Sequence, residues 1–214
     1  MAVKMISKYA QKGLTLIELM IGMVIGLIVS GIALNLYIST LNISAQTSNT
    51  VRLNQEMRLI MDMMVSDIRR AGYGEVPAGV SVAYSSIVSG GVPVSMFDDG
   101  AGQDCLVVSY NSDADADIEL FAYKLDSGVV QLSELSVVST STASVNCMSF
   151  TTWENLSSTD ISSVSELSFS SNAASTGWAS TIPKVIEITL SASSAQDSKI
   201  FRQLKETVRV RNEY

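Results

Sequence analysis

The stretch KGLTLIELMIGMVIGLIVSGIALNLYI, residues 12–38, decides how the rest of the chain is read. From Leu19 to Val51 there are 33 consecutive positions without a charged side chain, and the first half of that run is almost wholly apolar. About 20 such residues suffice to cross the hydrocarbon core of a bilayer as a helix. One carboxylate, Glu18, stands at the near edge of the run. A charge in that place is costly unless something pairs with it, so Glu18 calls for a function.

The flanks give the run a direction. Lys4, Lys8 and Lys12 precede it, and an acidic remainder follows: without residues 1–13 the chain has 11 basic and 21 acidic residues. The positive-inside rule then keeps Met1 in the cytoplasm and sends the C-terminal bulk across the membrane. A secretory signal peptide fits poorly, because the apolar run is too long for an h-region and no A-x-A-like site closes it. A plain membrane anchor accounts for the run and the lysines but leaves Glu18 unexplained.

The third reading accounts for all three. A basic leader, Gly13, a hydrophobic residue at 14 and then TLIE with Glu18 fifth after the glycine resemble the prepilin peptidase site of type IV pilins and pseudopilins. Leu14 stands where the family usually has Phe, a conservative departure. The resemblance implies cleavage between Gly13 and Leu14 and N-methylation of Leu14. It also implies that Glu18 pairs with the terminal amine of a neighbouring subunit during assembly. Such a pair in a low-dielectric site gains strongly from contact and leaves an uncompensated charge when broken. Glu18 would also suit the positive end of the helix.

The helical pattern continues past the span. Apolar residues recur at 53, 57, 60, 64, 68 and 71, which is one face of an amphipathic helix. Arg52, Asn54, Glu56, Arg58, Asp62, Ser66, Asp67 and Arg69 form its polar side. The methionines at 57, 61, 63 and 64 are expected to fill core. Gly72 and Gly74 end the helix, and Pro77 cannot extend it. A single helix from Leu14 to Ala71 would be about 87 Å long. The ending DIRRAGY resembles PilW-type minor pilins, and similar endings occur in the J-type pseudopilins of type II secretion. Gly22, Gly26 and Gly31 would let helices approach closely in a bilayer.

After Pro77 the period changes to that of strands: 104–112, 117–126, 128–135, 164–170, 184–193 and 199–212, with a hairpin turn at Asp126-Ser127-Gly128. Short strands without helices between them indicate an antiparallel sheet, one face of which would bury the amphipathic part of the helix. The expected fold is therefore α+β and pilin-like, a long N-terminal helix packed on an antiparallel β-sheet domain. Its expected parts are a cytoplasmic leader, 1–13; a transmembrane and assembly half-helix, 14–38; an amphipathic half, 39–72; and a β-rich periplasmic or extracellular domain, 73–214. Residues 133–182, where 23 of 50 positions are Ser or Thr, read as solvated loop or exposed strand.

Cys105 and Cys147 fall on the non-cytoplasmic side, where two cysteines most simply form a disulfide. Asp113, Asp115, Asp117 and Glu119 alternate, a spacing that suggests Ca²⁺. An EF-hand loop counted from Asp113 would need Gly and Glu where Ile118 and Lys124 stand. The plainer expectation is an acidic, solvated hairpin turn and no metal. With no histidine there is no Ser/His/Asp or Cys/His set, and there is no phosphate-binding loop, so neither an enzyme nor a cofactor is expected. The acidic balance argues against direct nucleic-acid binding.

The resemblance implies a type IV minor pilin of the PilW type. It would be an inner-membrane precursor that is later part of a surface pilus, with prepilin peptidase, other minor pilins, the major pilin and the inner membrane as partners. The other readings are a J-type pseudopilin of type II secretion and a membrane-tethered periplasmic binding or adhesion domain that never polymerises.

Overall fold

A computed structural model describes residues 13–74, 93–98, 104–112, 117–138, 145–171 and 185–210. Its first element is a single 55-residue helix, α1 (Leu16–Arg70). Nothing in that stretch breaks a helix: it has no proline, Glu18 lies in the first turn, and Arg69 and Arg70 lie in the last, each suited to the helix dipole there. The polar side chains inside the apolar run return to the backbone. Asn35 Nδ2 donates to the Gly31 carbonyl (2.9 Å), Thr40 Oγ1 to Leu36 (2.9 Å) and Thr47 Oγ1 to Ile43 (2.8 Å). Bonds of this kind satisfy polar groups where water is absent.

The chain divides into two compact units with the boundary between Thr47 and Ser48, inside α1. In the first unit every described residue except Gly31 is exposed. The second contains the rest of the helix and all the strands.

Among the described residues eight strands follow the helix, all paired antiparallel. β1 (Val94–Asp98), β2 (Asp104–Tyr110), β3 (Asp117–Asp126), β4 (Val129–Val138) and β5 (Glu154–Asn155) form a five-stranded sheet in chain order. β6 (Ser162–Ser171), β7 (Val185–Ser194) and β8 (Phe201–Arg209) form a second sheet, also in chain order. The expected hairpin closes β3 on β4, with Asp126 opposite Val129. Ser127 and Gly128 both take positive φ, 50° and 82°. Such a two-residue turn matches the twist of its strands.

The helix stripe is buried as the spacing predicts. Leu53, Met57, Ile60, Met64, Ile68 and Ala71 lie in the main core, joined by Met61 and Val65. Leu106, Val108 and Tyr123 of the first sheet and Ile186, Ile188 and Leu190 of the second complete that core. β6 lies against β2, β3 and β4, so the two sheets share it. Two hydrogen bonds tie them: Phe169 N–H to Asp104 Oδ2 and Val164 N–H to the Gly128 carbonyl, both 2.9 Å.

The structure departs from the sequence expectation in two ways. There are two sheets rather than one, and β1 and β5 were not expected as strands. The five-stranded sheet is also buried on both faces. Its outer side carries a second core, in which Val107, Ile118, Leu120 and Ala122 lie under Val145, Cys147 and Phe150. The Ser/Thr-rich region supplies the end of β4 and all of β6, both expected as strands, together with β5 and a 3-10 turn at Cys147–Ser149 capped by Asn146. Pro183 and the last four residues lie outside the described residues.

Candidate assembly site

The N-terminal motif forms the start of α1. Thr15 and Glu18 stand three apart, the spacing of a capping box. The Glu18 N–H donates to Thr15 Oγ1 (3.4 Å), while the Thr15 N–H (3.4 Å) and Thr15 Oγ1 (3.3 Å) donate to Glu18 Oε2. The carboxylate is thus aimed back towards the point where the chain enters the helix, one residue from Leu14. Gly13 and Leu14 are exposed, ahead of the helix. Residues 1–12, which include most of the expected leader, lie outside the described residues.

Beyond Glu18 the helix is apolar on all sides and uncovered. Leu16, Ile17, Met23, Leu27, Leu34 and Leu36 are each more than 60% exposed, far above the occasional surface leucine of a soluble domain. The helix is long and apolar enough to cross a membrane by length and composition. Nothing lies within 4 Å of where a side chain would project from Gly22, Gly26 or Gly31, so each leaves a notch on the exposed helix.

The second unit is held together by groups that the sequence reading placed on the wrong side. Glu56 and Asp67 were assigned to the polar face of the helix, but both turn inward and are half-buried. Glu56 Oε1 accepts from the Ser158 N–H at 2.6 Å, fastening the helix to the turn before β6. Asp67 is held by two phenols: Tyr110 of β2 donates to Oδ1 (3.1 Å) and Tyr123 of β3 donates to Oδ2. Burial raises the Asp67 carboxyl above its ordinary value, against the opposing pull of the two hydroxyls and Arg70. Tyr110 is pushed up to about 12, chiefly by burial and then by the Asp67 charge, and Tyr123 is raised for the same reasons. The only sequence signal for this cluster was a pair of tyrosines at alternating core positions, since a buried phenol needs a partner.

The helix exit is fixed beside that cluster. Gly72 has φ 71°, a left-handed conformation that glycine adopts without penalty, and its N–H donates to the Ser109 carbonyl at 2.9 Å. The Asn111 N–H donates to the Tyr73 carbonyl at 2.9 Å. The RRAGY ending therefore both stops the helix and docks it on β2.

Cys105 and Cys147 are joined by a disulfide across 42 residues of sequence. It pins the segment 145–153 over the outer face of β2 and β3. Trp153 closes the edge of that segment: its Nε1 donates to the Phe150 carbonyl (3.1 Å), and the Lys124 amine lies 4.3 Å from the ring centre. Ser133 Oγ donates to the Thr152 carbonyl.

Of the four candidate calcium ligands, Asp113 and Asp115 lie outside the described residues. Glu119 is buried and accepts from the Ser112 N–H at 2.8 Å, and Asp117 accepts from Ser136 Oγ at 3.4 Å. Among the described residues no group of three or more His, Cys, Asp or Glu could hold a metal ion.

A capped, apolar, uncovered N-terminal helix, followed by an amphipathic continuation packed on antiparallel sheets, defines the pilin-like class of proteins. Comparison with known families agrees. The model of the prokaryotic N-terminal methylation motif matches residues 8–34, and that of PpdB, prepilin peptidase-dependent protein B, matches residues 46–210. The chain belongs to the prepilin peptidase-dependent protein B family. No curated protein and no solved structure matches it.

Proposed function

We propose that the chain is a minor pilin of the PilW type that helps to start or cap a type IV pilus. Prepilin peptidase would cut between Gly13 and Leu14 and the new amine of Leu14 would be methylated. The leader is 1–13, the membrane and assembly half of the helix 14–38, the amphipathic half 39–72, and the domain carried on the far side of the membrane 73–214. The observation that carries this reading is the bare apolar helix directly behind the Gly13–Glu18 motif. Such a surface is stable in a bilayer or against other apolar helices, and a fibre offers the second after the membrane has offered the first.

Glu18 is the switch between those settings. Within one chain its carboxylate is held by Thr15 through long bonds of 3.3–3.4 Å. A neighbouring subunit's methylated amine is a charged donor and outcompetes them, because charge-assisted hydrogen bonds are about twice as strong as neutral ones. The pair sets the axial position of one subunit against the next. Function is assembly rather than chemistry, with other minor pilins and the major pilin as partners.

Mass analysis of the N-terminus of membrane-extracted protein tests the processing step. A methylated Leu14 is expected, and an intact Met1 in cells with active prepilin peptidase contradicts it. Pili sheared from a deletion strain test the role, with loss and restoration by complementation expected. Unchanged pili would favour a J-type pseudopilin, a reading that the family's dependence on prepilin peptidase supports equally well.

A further inference from the structure

Among the described residues two buried side-chain atoms have no protein partner, Glu56 Oε2 and Ser162 Oγ. Both belong to one junction, where α1 meets the turn at 158–162. Buried polar groups are nearly always matched, so two exceptions in one place call for an account. The junction is otherwise firmly built. The Ser158 N–H donates to Glu56 Oε1 at 2.6 Å, and the Ser162 N–H closes the turn on the Ser158 carbonyl at 2.9 Å. The connection between β7 and β8 is tied to the same turn. The Ala195 N–H donates to the Ile161 carbonyl at 3.0 Å, and Gln196 Nε2 donates to the Asp160 carbonyl at 3.4 Å.

These three pieces frame a cleft of about 290 Å³. Asn49 and Arg52 line it from the helix, Asp160 and Ile161 from the turn, and Ser194 and Gln196 from the end of β7 and beyond. All six lie in the second unit. The lining is polar except for Ile161, and it carries one charge of each sign.

Those two charges do not meet. Glu56 stands four residues on from Arg52, the spacing of a helical ion pair, yet its carboxylate goes to Ser158 instead. Arg52 and Asp160 are exposed, and among the described residues neither the guanidinium nor the carboxylate makes an ion pair or hydrogen bond. The bonds that fix the helix and the turn hold the two groups on separate walls. The helix wall offers donors, from Arg52 and Asn49, and the turn wall offers the Asp160 acceptor. Ser194 Oγ accepts from the Gln196 N–H at 3.3 Å, which leaves its own O–H to donate.

We propose that this cleft binds a small zwitterion of the amino-acid class, its carboxylate against Arg52 and Asn49 and its ammonium against Asp160. The forked donors of a guanidinium suit a carboxylate, and a few placed polar groups fix a ligand's orientation. Ile161 suits the methylene groups between the two charges. A ligand with one charge leaves the other wall unmatched, and a single exposed ion pair contributes little. The site goes beyond the assembly reading and does not depend on it.

Full-length protein in a non-ionic detergent, with the Cys105–Cys147 disulfide intact, tests the proposal. It is titrated with glycine, β-alanine and γ-aminobutyrate, which differ in the spacing of their charges, and with acetate and ethylamine, which carry one charge each. Ligand-observed NMR gives the dissociation constants. At least one zwitterion is expected to bind about tenfold more tightly than either single-charge probe. Arg52→Gln and Asp160→Asn should each weaken that binding about tenfold. Both side chains are exposed, so the unfolding midpoint should stay in place. Arg58→Gln, on the same helix but outside the cleft, should leave binding unchanged. The proposal is overturned if no zwitterion binds more tightly than the single-charge probes. Equal losses in Arg58→Gln and Arg52→Gln overturn it too, because they would mean general attraction to charge.

Discussion

Between Leu16 and Thr47 the helix carries Leu, Ile, Val and Met on every side, all exposed; between Ser48 and Arg70 most of the same residue types keep to one stripe and are buried, with Val51 and Leu59 the exposed exceptions. The backbone is one continuous helix throughout. Helical propensity therefore does not distinguish the two stretches; the distribution of apolar side chains does. A stripe is what one folded surface can cover. Apolar residues all round require a surrounding that is apolar all round, which a single domain of this size does not provide to a helix at its end. The first stretch is stable only in company, whereas the second is stable within its own chain.

Truncation breaks that comparison most sharply. Ile68 is wholly buried, and Ile68→Ala should cost the second unit about 2–5 kcal/mol, the usual range for emptying a packed site. Ile28→Ala, in the bare stretch, should leave the unfolding midpoint of that unit in detergent unchanged. Denaturant titration of both variants, followed by tryptophan fluorescence, measures the contrast. Equal losses would mean that the two stretches are not independent.

Next in size is the disulfide. Replacing both Cys105 and Cys147 with Ser should lower stability by about 2–4 kcal/mol, as expected for a loop of this length. Because the bridge holds 145–153 over the outer core, the loss should come with greater exposure of Trp153. A red-shifted emission accompanying the lower midpoint is the expected signature.

A smaller effect belongs to the helix exit. Gly72→Ala forces a side chain into a left-handed conformation, at about 1–2 kcal/mol. Hydrogen exchange should quicken at Gly72 and Asn111, whose N–H groups hold the exit on β2, and not in the bare stretch of the helix.

The smallest expected effect is a slope with pH. A carboxyl raised on folding keeps its proton in the native state at a pH where the unfolded chain has released it. The stability linked to Asp67 is therefore full below the ordinary value of 3.8 and is lost as pH climbs through the raised value. Tyr110 acts in the same sense higher up, its contribution being lost as pH rises from 10.0 through about 12. Asp67→Asn should flatten the acid part of the profile and shrink the alkaline part, because Tyr110 keeps its burial but loses the Asp67 charge. An unchanged acid slope in that variant would assign the titration to another group.

The long helix was legible because it is a local matter. Period, caps and the absence of proline are all written within a few residues of where they act, and the turn at Ser127-Gly128 is of the same kind. The inward turn of Asp67 was not legible, because an aspartate beside Arg69 and Arg70 looks solvated until two tyrosines from β2 and β3 are seen to meet it. Glu56 was missed for the same reason, since its partner is a backbone N–H 102 residues away. The split into two sheets was hidden because each strand reads alike whichever sheet it joins; only pairing decides, and pairing is not local.

The sequence alone determined the N-terminal motif, the apolar span, the helix to its last turn, the class of fold and the positions of six of the eight described strands. All of these depend on the order of side chains along a short stretch of backbone. The tertiary structure alone decided which strands share a sheet, that the five-stranded sheet carries a core on each face, and that Asp67 and Glu56 fasten the helix. Each of those depends on groups distant in the chain arriving at one place, where burial and hydrogen bonding between them, rather than local propensity, fix the outcome.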